Sequence, residues 1–153
     1  MSGSVEYIPV TLNAIRVDTS VGCDLYLQNH INKEIQYVLY CSGKNVIKSD
    51  KIEELQEHQI KTLFIRKEDQ NVYLKYVETS LKNIINDDRV DIKEKAHIVY
   101  DVAKNIMNDV FEDPRSGEHV ERSKSWVSNT IDFIIKSKGS FSSMMGMISY
   151  DYY

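Results

Sequence analysis

Hydrophobic and polar positions along the chain follow two different periods, and the change from one to the other falls near Asp69. Before it, apolar residues come in short, strand-like groups. Val5 to Val10 alternates imperfectly around Pro9, which predicts an edge strand or its entry, because proline cannot donate to a ladder. Cys23-Asp24-Leu25-Tyr26-Leu27 alternates at period two and predicts a half-buried strand. Ile35 to Cys41 is rich in β-branched and aromatic residues and runs into Ser42-Gly43-Lys44-Asn45, a turn by composition. Ser49 stands where a cap would start a short helix carrying Ile52 and Leu55, and Thr62 to Arg66 returns as a strand.

After Asp69 the spacing is helical. Tyr73, Tyr76, Val77, Leu81 and Ile84 fall on one face between Val72 and Ile85, and Asn86-Asp87-Asp88 interrupts. Asp91 with Glu94 predicts a capping box for a helix reaching Glu112. Its Ile92, Ala96, Val99, Ala103, Ile106 and Val110 form one stripe by alternating steps of four and three. That stripe suits the chain's own bundle, with a homodimer seam as the alternative. Asp113-Pro114-Arg115-Ser116-Gly117 ends the helix, since Pro114 lacks an N–H. A further helix places Val120, Val127, Ile131 and Ile134 on one face with Trp126 beside it. Lys138-Gly139 stops it, and Ser140 opens a Met-rich segment (Met144, Met145, Met147) running to Tyr150. The expected architecture is α+β: a small mixed strand and helix module over residues 1–68, then an all-helical segment of three to four helices over residues 69–153.

Composition narrows the function classes. With 42% hydrophobic and 27% charged residues in 153, and two prolines and six glycines, the chain can fill a core. A net charge of -4 supplies no field for a phosphate backbone, so nucleic acid is not an expected partner. Met1 to Ser4 is short and polar, no secretory signal follows, and the longest apolar runs fall far short of a membrane span. Cys23 and Cys41 do not form a CxxC pair and read as buried free thiols, which makes the cytoplasm the expected compartment.

Catalytic chemistry is sparse. His30, His58, His97 and His119 are scattered, with no HxxxH or CxxC spacing that would bring metal ligands together, so no metal or cofactor is expected in this chain. No serine sits in a GxSxG elbow. The sharpest ligand candidate is the turn Arg16, Asp18, Ser20 and Gly22, with Arg66 elsewhere, since arginines and a D-x-S turn can grip a guanine edge or phosphate. A plain turn between strands is the competing reading.

Several segments resemble bacterial HD-GYP proteins. Ala96-His97-Ile98-Val99-Tyr100, Asn105-Ile106-Met107, Phe111, Pro114-Arg115-Ser116-Gly117-Glu118 and Arg122-Ser123-Lys124 look like the lead-in helices of that family. Met147-Ile148-Ser149-Tyr150-Asp151-Tyr152-Tyr153 resembles the stretch ahead of its first catalytic-domain histidine. The front segments Tyr7-Ile8-Pro9-Val10, Asp24-Leu25-Tyr26-Leu27 and Tyr37-Val38-Leu39-Tyr40 are similar to a module that often precedes it, so the resemblance covers most of the chain. The family's catalytic domains hydrolyse cyclic di-GMP with metals held by histidines and aspartates. This chain has neither a His-Asp dipeptide nor Gly-Tyr-Pro.

The resemblance therefore implies a non-catalytic regulatory or accessory region, cut just before a catalytic HD-GYP domain of the same polypeptide, which would be its partner. A stand-alone interaction adaptor docking through the Met-rich end is the alternative. The Arg16 turn also looks like the cyclic di-GMP motif of PilZ domains, but lacks the paired arginines and is one residue short before Gly22.

Overall fold

A computed structural model of the chain describes residues 5–137 and 139–152, with side chains as far as Ser149. Met1 to Ser4, Lys138 and Tyr153 lie outside the described residues, as do the side chains of the Tyr150 to Tyr152 ending.

A tight hairpin organises the front of the chain. Strands β2 (Leu25–Ile31) and β3 (Glu34–Cys41) pair antiparallel and are joined by Asn32 and Lys33, at φ 52° and 67°. Two successive residues with positive φ are the mirror-image turn whose twist matches the flanking strands. Strands β1 (Tyr7–Thr11) and β4 (Thr62–Arg66) pair antiparallel with Pro9 opposite Phe64, and the sheet order is β1-β4-β2-β3. Pro9 therefore lies on an edge strand, where its missing N–H breaks no ladder.

Expectation and structure part at two places here. The strand expected from Cys23 begins at Leu25, and a register shift between Leu25 and Tyr26 leaves both side chains buried rather than alternating. Helix α1 (Ser49–Glu57) buries Ile52 and Leu55 as expected, but Lys48 holds the cap position and Ser49 is already helical.

In β4, Leu63 and Ile65 are 1% and 0% exposed while Phe64 and Arg66 are half-buried, so one sheet face meets the core and the other is open. Val10, Leu25, Ile52 and Leu55 are among the other buried residues of this unit.

Helix α2 (Gln70–Ile85) starts close to the change of period at Asp69, yet the two compact units divide later, between Tyr76 and Val77. The reason is local. The Arg16 N–H donates to the Tyr76 hydroxyl at 2.8 Å, and that hydroxyl lies 2.6 Å from Thr19 Oγ1. The first turns of α2 thus belong to the sheet unit.

The second unit holds the rest of α2 with α3 (Ile92–Glu112), α4 (Gly117–Lys136) and α5 (Ser140–Tyr152), and α3 packs against both α4 and α5. The architecture is mixed α+β with a helical C-terminal part. Asp91 occupies the cap position of α3, but its carboxylate makes no capping bond, so its half of the expected capping box is not formed. Ser116 does cap α4, accepting from the His119 N–H at 3.4 Å. No helix among the described residues is long and apolar enough to cross a membrane.

Candidate functional site

The loop after β1 brings Arg16, Asp18 and Ser20 together, and it is closed largely on itself. Arg16 Nη2 donates to the Asn13 carbonyl at 2.6 Å, and the Thr19 hydroxyl donates to the Arg16 carbonyl at 2.6 Å. Asp18 sits at φ 63° with its carboxylate 3.7 Å from Lys48 Nζ, both well exposed. The Ser20 hydroxyl donates to the Gly43 carbonyl at 2.6 Å, while the Gly43 N–H donates to Asp24 Oδ1 at 2.8 Å. A Cβ on Gly43 would stand 2.6–2.7 Å from the Cys23 backbone, so only glycine fits where these two segments meet.

Arg66 keeps different company. It projects from β4 on the open sheet face, 5.6 Å from the Tyr26 ring, with Glu68 3.8 Å away. Tyr7 stacks on Tyr37 at 4.2 Å and meets Tyr26 edge-on at 5.0 Å, and Tyr37 meets Phe64 edge-on at 5.2 Å. Four rings from four strands thus form one aromatic cluster with a guanidinium at its margin. Such a group can pair with a carboxylate or phosphate while its flat face rests on tyrosine. Tyr26, which ionises only at high pH, pushes the Arg66 pKa further up, and the guanidinium is a cation throughout the ordinary range in any case. Sequence reasoning singled out Arg66 but missed the rings. The available signal was alternation: Tyr7, Phe64, Tyr26 and Tyr37 all fall on one face once the strand register is known.

Cys23 is not a nucleophile in waiting. Burial, then the Asp69 and Asp24 charges, push its thiol from 9.0 up to about 12. The unfolded chain releases that proton first, so the stability tied to it is present below pH 9 and lost as pH rises toward about 12. At pH 8 a thiol reagent should label Cys23 only after denaturant is added, and rapid labelling of the folded chain would contradict this.

In the helical unit the densest polar node is Arg122. Its guanidinium donates to both Glu78 carboxylate oxygens at 2.8 Å and to Asp109 Oδ2 at 2.8 Å, and lies 3.2 Å from His119 Nδ1. The side chain is only 11% exposed, and the hydrogen bonds it donates to Glu78 lead the causes that raise its pKa. The clamp ties α2, α3 and α4 together.

Two grooves mark this unit. One of about 620 Å³ runs between α3 and α5, lined by Lys93, His97, Tyr100 and Lys104 among others. There His97 Nε2 lies 3.4 Å from Asp101 Oδ2. The other, about 590 Å³, lies beside the α3–α4 turn and includes Val120, Val127 and Ile131. Among the described residues no group of three or more His, Cys, Asp or Glu side chains could hold a metal ion.

No protein-family model matches the chain, and no curated protein does. Among solved structures it is similar to Bd1817, a HDG"Y"P protein from Bdellovibrio bacteriovorus, at 20% identity and a TM-score of 0.45. The match covers 92% of this chain and 45% of that one, so the chain spans less than half the length of that protein.

Proposed function

We propose that this chain is a non-catalytic regulatory or accessory region of an HD-GYP-type cyclic di-GMP phosphodiesterase, working in the cytoplasm beside a catalytic domain of the same polypeptide. One observation carries the reading. Pro114 to Glu118 and Arg122, which bear much of the sequence resemblance, form a single structural device: a turn, the Ser116 cap and the Arg122 clamp. These residues hold helices in place, which is the work of a scaffold. The missing His-Asp and Gly-Tyr-Pro residues leave the hydrolytic chemistry to another part of the polypeptide. Two free cysteines suit a reducing compartment.

The test is enzymatic. The chain alone, supplied with iron or manganese, should not hydrolyse cyclic di-GMP, whereas the polypeptide read on beyond Tyr153 should, through His-Asp and Gly-Tyr-Pro residues. Metal-dependent turnover by purified residues 1–153 would overturn the non-catalytic reading. Titration of the chain with cyclic di-GMP should give no saturable heat at micromolar concentration, and an isotherm abolished by Arg16→Ala would assign the ligand to the front loop.

A stand-alone adaptor is the second reading. It is favoured by helix α4, whose Val120, Val127 and Ile131 are 49%, 46% and 50% exposed. A stop codon directly after Tyr153 would select it.

A further inference from the structure

The sheet has two edges, and they are guarded very differently. At the β1 edge Pro9 removes a donor, and Lys67 pairs with Glu6 at 3.2 Å just beyond the strand. The β3 edge has neither device, and its one irregularity, the extra residue Tyr40 where the register shifts against Leu25 and Tyr26, lies at the far end beyond Leu39. Its eight residues, Glu34 to Cys41, contain no proline, no lysine and a single charge, Glu34. Ile35, Val38 and Leu39 are 53%, 45% and 53% exposed, and among the described residues no strand pairs with the outer side of β3. Soluble proteins usually blunt an edge like this with charge, proline or a bulge, because its unpaired N–H and C=O groups are a template for another strand.

Register decides which strand fits. The two-residue turn closes on the Ile31–Glu34 pair, so alternate residues from Glu34 face β2 with their backbone groups. Ile35, Tyr37 and Leu39 therefore turn their N–H and C=O groups outward. A two-fold axis perpendicular to the sheet keeps each side chain on its own face, so a residue of β3 can pair only with one an even number of positions away. An axis through Tyr37 satisfies this and uses all three outward residues. Tyr37 then meets Tyr37 of the second copy, and Ile35 meets its Leu39. Glu34 falls opposite Tyr40 and Lys33 opposite Cys41, so no like charges face each other. The edge is complementary to itself in hydrogen bonding, in apolar side chains and in charge.

We propose that β3 pairs antiparallel with β3 of a second copy about an axis at Tyr37, joining two four-stranded sheets into one. The open aromatic faces, each with its Tyr7–Tyr37 stack, become continuous across the junction.

Sedimentation equilibrium of the full chain, from micromolar to near-millimolar concentration, tests this together with amide hydrogen exchange. A dimer is expected in which the Ile35, Tyr37 and Leu39 amides exchange about tenfold more slowly than in the monomer. Ile35→Lys should give a monomer with an unchanged circular dichroism spectrum. Leu39→Lys should do the same, and serves if the first variant folds poorly. Ile135→Lys, at a position 75% exposed on α4, should leave the dimer intact. A chain that stays monomeric throughout would overturn the proposal. So would a dimer indifferent to both lysine variants, or one whose three amides exchange freely.

Discussion

Helices α3 and α4 look equivalent on paper and are not equivalent in the fold. They have 21 and 20 residues, and each carries a regular apolar stripe. On α3 half of the stripe is core, with Ala96 and Val99 0% exposed and Ile106 4%, while Ile92, Ala103 and Val110 are half-buried. On α4 the stripe of Val120, Val127, Ile131 and Ile134 faces outward, and the buried residues are Thr130 and Phe133 instead. The difference comes from neighbours. Helix α3 is packed on by both α4 and α5, so its covered surface widens to take in Ile98 and Val102. Helix α4 turns Phe133 inward and sends the Trp126 indole N–H to the Val99 carbonyl at 2.9 Å, which leaves its apolar stripe on the other side. Periodicity shows which residues share a face, and only packing shows whether that face is covered.

The comparison can be broken most severely at Phe133. Its ring is fully buried, and the carbonyl of the same residue accepts from the Ser140 hydroxyl at 3.1 Å, beside the start of α5. Phe133→Ala should cost about 3–5 kcal/mol, because the cavity cannot close around a lost ring. A denaturant midpoint close to wild type would mean α4 has no inward anchor. Ile106→Ala comes next, at about 2–5 kcal/mol, with the same measurement deciding whether the α3 stripe is core. Lys104→Ala should cost less, about 0.5–1 kcal/mol, since the ammonium lies 4.9 Å from the exposed side of the Tyr100 ring. Raising the salt concentration should shrink that third difference and leave the first two unchanged.

How far the sequence could be read follows the same division. Strands β1, β3 and β4 and helices α2 and α3 were legible, because period, Pro9, Pro114 and the Asn86 to Asp88 break are local signals. The Asn32–Lys33 hairpin leaves no such signal, because a lysine at φ 67° is an unusual occupant of that turn. Caps were less certain than element bounds, since Asp91 has the right residue type and position without the bond. The candidate Arg16, Asp18 and Ser20 loop was legible as a turn, but its closure through Gly43 and Tyr76 joins residues 23 to 60 positions apart. The tyrosine cluster beside Arg66 needed the strand register, and the Arg122 clamp needed three helices to meet.

The smallest effect sharpens the comparison most. Ile131 is 50% exposed on the outer stripe of α4, and Ile106 is 4% exposed on α3, so one side-chain type occupies matching helical environments that differ in cover. Truncating Ile131 to Ala removes methyl and methylene groups that still keep much of their contact with water, so little transfer free energy is lost. Alanine is also the better helix former by a few tenths of a kcal/mol, because isoleucine gives up side-chain rotamers against the preceding turn. The two terms oppose each other, and Ile131→Ala should shift stability by no more than about 0.5 kcal/mol. Denaturant melts of Ile131→Ala and Ile106→Ala at one protein concentration give the contrast directly. Should the Ile131 variant lose as much as the Ile106 variant, the outer stripe of α4 is covered in solution, and the helices are alike after all.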